Sequence, residues 1–270
     1  MNATQPTLSL RDRRFRFYWR MRGHIAPRLE FSQAIYERVL ADAVPAQRWL
    51  DVGCGNKLLP SWRAPQAERM VRSVKHVVGV DYDHESLAQH RNINQRVRAD
   101  ITTLPFRDGY FDVVTANMVL EHVKDPDQLL REIYRVLAPG GMFIAHTPNL
   151  NGYATVLARL VPEAIKPRVV GWLHGRAEAD VYRTYYRINS EAALRETGAR
   201  AGFSRVTVRH LVSDAQLVMI PPLVVLELLM IRLLMTRPFR RFRIYLIAGM
   251  EKPAASVPPM QPAAGAAGGA

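Results

Sequence analysis

Residues 48–57, Arg48-Trp49-Leu50-Asp51-Val52-Gly53-Cys54-Gly55-Asn56-Lys57, decide how the chain is read. An apolar pair runs into an Asp and then into Gly-x-Gly. The pattern predicts a buried strand ending in a turn where backbone comes close to a ligand. Only glycine leaves room for that approach and accepts the dihedrals it requires. A tight strand-to-helix turn without a ligand can carry the same two glycines, so the surrounding chain has to discriminate.

Upstream, Phe31 to Val44 has apolar residues at helical spacing, with Ser32 as the candidate N-cap and Pro45 beyond the end. Downstream, residues 58–74 contain Pro60, Pro65 and Trp62 and read as too broken for one clean helix. The run 75–81 (KHVVGVD) is apolar and ends in an acid, as a second buried parallel strand would. Tyr82 to Arg91 is predicted helical, with Asp83 as its N-cap. A short third strand over 96–101 reaches Asp100. A Pro/Asp-Gly loop follows at 104–109, then a fourth strand over 110–118. Asp127 to Leu137 is an amphipathic helix stopped by Ala138-Pro139-Gly140-Gly141, and 141–147 is a fifth strand.

Strands alternating with helices imply a doubly wound α/β sheet with a largely parallel order. Ligands of such sheets bind beyond the carboxyl ends of the strands. Asp51, Asp81, Asp100 and Asn117 all fall at or near those ends, on four consecutive strands. Any one of them alone could serve helix capping or a turn. An acid closing the second strand suits both hydroxyls of a ribose. A dinucleotide site would want a third glycine and a helix N-terminus for the pyrophosphate. Here Lys57 stands at the third position, and Asp51 would repel a diphosphate but attract an ammonium group. A nucleoside with a cationic amino-acid end therefore fits better than a dinucleotide, with Asp100 accepting from an exocyclic amine and Ile101 against the ring.

These residues, together with Phe111-Asp112-Val113-Val114, Leu120-Glu121-His122-Val123 and Leu137-Ala138-Pro139-Gly140-Gly141, resemble class I S-adenosylmethionine-dependent methyltransferases. The likeness is strong over 46–147, weaker over 180–203, and points to the small-molecule branch. It implies a Rossmann-like, doubly wound, mostly parallel seven-stranded sheet with helices on both faces. It also implies S-adenosyl-L-methionine as cofactor: Asp51, Gly53 and Gly55 at the methionine end, Asp81 on the ribose, Asp100 and Ile101 at adenine, Asn117 closing the site. Lys57 departs from a frequent third glycine, and the Gly55-to-Asp81 connection is longer than usual, which points to an insertion near Trp62.

Methyl transfer is an in-line displacement that needs alignment and, for a hydroxyl acceptor, a base. His122 is the candidate catalytic base; capping or packing is its structural alternative. His146 and the Tyr182, Tyr185, Tyr186, Arg187 run are weaker candidates. No His/Asp cluster has metal-ligand spacing, and no metal is expected. Thr115-Ala116-Asn117-Met118 differs from the loop used for amino methylation of bases, and the single Cys lies in the cofactor turn. The expected acceptor is therefore a small molecule, lipid, quinone-like compound or glycan, methylated at oxygen or carbon. An RNA methyltransferase and a non-catalytic cofactor-binding module are the alternatives.

Composition narrows the partners. Lys and Arg number 37 against 24 Asp and Glu, a formal charge of +13. Such a surplus suits a polyanionic partner or an anionic membrane surface; solvated arginines are the plain alternative. One cysteine excludes an internal disulfide framework. Met1 to Leu10 are expected to be disordered and show no secretion signal, so a cytoplasmic location is expected, peripheral on the inner face of the membrane. Residues 11–22 interleave six arginines with Phe15, Phe17, Tyr18 and Trp19. They suit phosphates or lipid headgroups, or a helix packing its aromatics inward. Residues 215–235 are apolar nearly all round, but Pro221, Pro222, Glu227 and Arg232 argue against a membrane span. Arg237, Arg240, Arg241 and Arg243 follow. The segment is expected in the membrane interface or at the mouth of the acceptor pocket, or else docked on the domain or a second copy. A last strand is predicted over 243–250. The organisation expected is an extension over 1–45, a methyltransferase domain over 46–252 with an acceptor cap at 149–180 and an apolar insertion over 215–236, and a disordered tail over 253–270; residues 215–243 are the candidate contact with an anionic membrane surface. The cap's Lys166, Arg168, His174 and Arg176 could meet an anionic acceptor.

Overall fold

A computed structural model describes residues 9–45, 47–160 and 183–255. Tyr182, most of the 149–180 segment with its four basic residues, and 256–270 lie outside the described residues. The sheet has seven strands in the order β3-β2-β1-β4-β5-β7-β6. They are β1 (Arg48–Val52), β2 (His76–Asp81), β3 (Gln95–Arg98), β4 (Phe111–Asn117), β5 (Leu137–Pro148), β6 (Arg205–Leu211) and β7 (Tyr245–Glu251). β1 pairs in parallel with β2 and β4, β2 with β3, and β4 with β5. β7 is antiparallel to both β5 and β6. The order reverses beside β1, where such sheets form their ligand crevice. The first four strand ends therefore share one rim.

Both faces of the sheet are buried, which is why its inner strands read as continuous apolar runs. On one face Leu50, Val52, Val78 and Val80 pack with Leu129, Leu130 and Ile133 of α5 (Pro126–Val136). On the other, Trp49, Val77 and Val113 pack with Tyr36 and Leu40 of α2 (Ser32–Ala43) and with Ala67 and Met70 of α3 (Ala64–Ser73). Alternation along the strands puts Asp51, Thr115, Asn117 and His146 on the α2 face, in one row near the rim.

Several local readings change. Ser32 does not cap α2: Phe31 holds that position without a side-chain bond, and the Ser32 hydroxyl instead donates to Ser213 Oγ at 3.3 Å. Residues 61–63 form a 3-10 turn running directly into α3, and Trp62 stands exposed there. The helix after β2, α4, spans only His84–Ala88. His90 Nδ1 accepts from the amides of Asn92 and Ile93, which turns the chain away. β3 stops at Arg98, so Asp100 lies in the turn beyond it. β5 starts at Leu137 rather than after the Pro-Gly-Gly stop, with an irregular register opposite 111–113. At the N-terminus, Ser9 and Asp12 form a capping box for α1 (Leu10–Ile25), because each side chain meets the other's amide.

Among the described residues, β5 is followed by α6 (Tyr153–Leu160) and by α7 (Glu191–Arg200), which packs on α5 and β6. The connection from β6 to β7 carries α8 (Pro221–Leu234), shorter than the apolar stretch because Pro221 and Pro222 occupy its first turn. Arg243 donates to the carbonyls of Leu234 and Met235 and so closes the C-terminus of α8. α8 packs on α1 through a separate core of Tyr18, Leu29, Val224, Leu228 and Ile231. No described helix is long and apolar enough to cross a membrane.

Candidate active site

The glycine turn leaves β1 with Gly53 at φ +66° and Gly55 at φ +57°. A Cβ on Gly53 would meet Val119 Cγ2 at 2.4 Å, so glycine is required there by dihedral and by space. A Cβ on Gly55 would meet nothing within 4 Å, because that side of the turn opens into a cleft of about 630 Å³.

The cleft brings together Gly53, Gly55, Asp81, Asp100, Ile101 and His122 of the residues singled out in the sequence. Asp81 ends β2 half-buried. Its Oδ2 accepts from the Gly55 amide at 2.8 Å and its Oδ1 from the Asp83 amide at 2.9 Å. Asp100 is exposed, and its Oδ1 accepts from both the amide and the hydroxyl of Thr102. It thus closes a side-chain turn as well as facing the cleft.

Asp51 and Asn117 do not line the cleft. Asp51 is only 7% exposed and faces α2. Its register partner is Thr115, whose hydroxyl donates to Asp51 Oδ1 at 2.6 Å and in turn accepts from Trp49 Nε1 at 2.7 Å. Burial, then the nearby Asp81 charge, push the Asp51 carboxyl up to about 7 despite the Thr115 bond. Asn117 lies further along the same row. Its Oδ1 is 2.9 Å from His146 Nδ1 and its Nδ2 donates to Gln33 of α2. His146 is stacked on Tyr36 and buried, which lowers its ring to about 4. It is therefore neutral at physiological pH, with Nδ1–H donating to Asn117.

His122 ends a 3-10 turn over Leu120–His122. Its Nδ1 is 2.9 Å from the Arg183 carbonyl. A carbonyl only accepts, so the proton of the neutral ring sits on Nδ1 and Nε2 is the basic nitrogen. Glu121 Oε1 lies 4.0 Å from Nε2, and Glu121 itself is buried, with Thr147 Oγ1 donating to its Oε2 at 3.0 Å. Burial raises the Glu121 carboxyl, and His122 acts in the opposite sense.

Sequence reasoning missed Met118, Val119, Tyr82 and Ser86, which also line the cleft. Met118 has φ +58°, with its amide held by the His146 carbonyl at 2.8 Å. A methionine after an Asn gives no sequence signal for that conformation. Tyr82 enters the sequence reading only as the start of a helix, and Arg98 stacks over its ring.

A methyltransferase-domain family model matches residues 50–145. A demethylmenaquinone methyltransferase of Mycobacterium marinum is 34% identical over 170 residues, which are 60% of this chain and 73% of that protein. A ubiquinone biosynthesis O-methyltransferase of Escherichia coli O157:H7 is 29% identical over 182 residues, 58% of this chain and 73% of that protein. Against two further relatives at 35% identity, the chain spans only 34% and 44% of their length. Among solved structures, a methyltransferase of Thermotoga maritima described as a possible histamine N-methyltransferase aligns with TM-score 0.53 and 15% identity. The alignment covers 90% of this chain and 98% of that one, and at that identity it speaks to fold alone. The chain belongs to the class I S-adenosylmethionine-dependent methyltransferases. S-adenosylmethionine is the cofactor that membership brings.

Proposed function

We propose that the protein transfers the methyl group of S-adenosylmethionine to an oxygen or carbon of a small-molecule acceptor. The acceptor class is quinone-like, lipid or glycan, met at the inner membrane surface. One observation carries the reading: His122, with its basic nitrogen set by the Arg183 carbonyl, lines the same cleft as the glycine turn, Asp81 and Asp100. A base beside the cofactor cleft is what a hydroxyl or activated carbon acceptor needs, and one that transfers its proton in the transition state contributes about 10²–10⁴-fold.

The chain's residues fit this cofactor. The space beside Gly55 admits a ligand backbone, and the Asp81 carboxylate can accept from both ribose hydroxyls. Asp100 and Ile101 suit the adenine. Asp51 lies behind the glycine turn, off the cleft lining; burial holds back its ionisation, and the ammonium of a methionine end reaching it would favour the charged form. Asn117, bonded to His146, closes the row at that end. The sulfonium carbon needs no protein nucleophile, so the remaining task is alignment. The working unit is residues 46–252, with 1–45 as an extension. The two quinone-pathway relatives support the acceptor class by their names.

The test is incubation of the purified protein with methyl-labelled cofactor and a panel of quinone precursors, polar lipids and glycans. Label appearing in an organic-phase product supports the reading. Label in RNA alone, or cofactor binding with no transfer to any of the panel, overturns it.

A further inference from the structure

We infer that α1 and α8 together form a docking platform for an anionic lipid surface. This deepens the membrane part of the reading above and rests on it, but it is read without any methyl acceptor. Its failure would therefore leave methyl transfer standing.

The inward face of α8 is used up on α1 and its surroundings: Val224, Glu227, Leu228, Ile231 and Leu234 are buried. Among the described residues, nothing covers the opposite face. Leu223, Leu226, Leu229 and Leu233 are 41%, 63%, 50% and 48% exposed. At about 100° per residue, Leu226, Leu229 and Leu233 share one narrow stripe. A solvent-facing helix normally carries charge there; among the outward residues of α8, only Arg232 does.

Positive charge stands on the two segments that adjoin α8: α1, which packs on it, and the turn that follows its C-terminus. α1 turns Tyr18 inward, while Arg13, Arg16 and Arg20 fall on its outward face, flanked by exposed Phe17 and Trp19. None of these three arginines has an ion-pair partner among the described residues. After α8 come exposed Arg237, Arg240 and Arg241, interleaved with Phe239 and Phe242. α1 is tied to the β6–β7 connection: Arg232 of α8 donates to the Ile25 carbonyl, and Arg22 pairs with Asp214, ahead of α8, at 3.0 Å. The insertion hangs from Leu211 and Tyr245, which pair with each other on the rim where β5 ends at Pro148.

Charge selects the occupant. A second copy would bring the same arginines against these, on a chain of net charge +13. An RNA would use the arginines but leave four leucines in water. A bilayer with anionic headgroups satisfies both, with leucines in the acyl boundary and arginines among the phosphates.

The test is flotation of the full-length chain with vesicles of phosphatidylcholine alone and with a third phosphatidylglycerol. The wild type should float at least tenfold better with the anionic vesicles. Two variants follow: Leu226→Ser with Leu229→Ser and Leu233→Ser, and Arg13→Glu with Arg16→Glu and Arg20→Glu. Each set sits on exposed positions, so both should keep S-adenosylmethionine affinity and thermal midpoint while losing flotation at least tenfold. No flotation of the wild type, or flotation indifferent to the leucine set, would overturn the proposal. So would a concentration-dependent dimer that the leucine set abolishes, or RNA binding that survives the leucine set and competes away the vesicles.

Discussion

The amide of Gly55 donates to Asp81 Oδ2 at 2.8 Å, tying the turn after β1 to the acid that ends β2. One carboxylate therefore holds the loop and faces the cleft. Asp81→Ala should weaken S-adenosylmethionine binding by about 10²-fold or more, since hydrogen bonds to a charged group are worth about 1.5–3 kcal/mol each. Calorimetry reads this directly, and wild-type affinity in the variant would refute the ribose assignment. Asp81→Asn keeps an acceptor for Gly55, so it should lose less.

Asp51 should make cofactor binding depend on pH. In the free protein its carboxyl titrates at about 7 because burial opposes the charge. A cofactor ammonium would favour the charged form, so binding below pH 7 must first displace a proton. Affinity should fall as pH drops from about 7, by up to tenfold per unit. Asp51→Asn should remove that acid limb and weaken binding above pH 7. The sign for stability is opposite. Between the ordinary value of 3.8 and about 7, the native state holds a proton that the unfolded chain has lost. Stability of the free protein should therefore decline as pH rises through that window, and Asp51→Asn should flatten the decline. Denaturant titrations at pH 5 and pH 8 measure it.

The ends of β1, β2 and β4 were readable because each apolar run closes in or runs into a polar residue, and the count of seven strands followed from the family likeness. The face each rim residue takes was not readable. Asp51 and Gly53 are two apart in sequence, yet Asp51 turns under α2 beside Thr115 while the glycine turn opens into the cleft. Only the register of β1 against β4 separates them. Likewise Ser32 has the composition of a cap, but its hydroxyl is spent on Ser213, 181 residues away. The apolar character of 215–235 was plain; which side of it stays bare depends on where Tyr18 and Leu29 pack.

His122 should separate binding from chemistry. His122→Ala removes the proposed base while leaving Asp81, Gly55 and Asp100 intact. We expect kcat to fall about 10²–10⁴-fold with cofactor affinity within about twofold of wild type. His122→Gln retains a donor for the Arg183 carbonyl but no base, and should be equally slow. A variant of either kind with wild-type kcat, once an acceptor is in hand, would leave His122 a packing residue.

Glu227 is the one acid inside α8, and it is 5% exposed. Its Oε1 accepts from the Gln216 amide and from Tyr153 Oη, and its Oε2 from the Leu217 amide, each at 2.8 Å. Burial and this carboxylate push the Tyr153 hydroxyl well above its ordinary range, so it stays a donor at neutral pH. An acid in an apolar helix is thus a staple joining α8 to α6 and to the chain before it. Glu227→Leu would raise the apolar content of α8 but leave three partly buried donors without their acceptor, at up to about 1–3 kcal/mol for each group left unsatisfied. We therefore expect the apolar substitution to destabilise the protein by several kcal/mol, and Glu227→Gln, which keeps one acceptor oxygen, by less. Hydrogen exchange should localise the loss to 215–234 while the sheet amides of β1 and β4 stay protected. Uniform loss across the sheet would mean that α8 folds with the domain rather than as a separable platform.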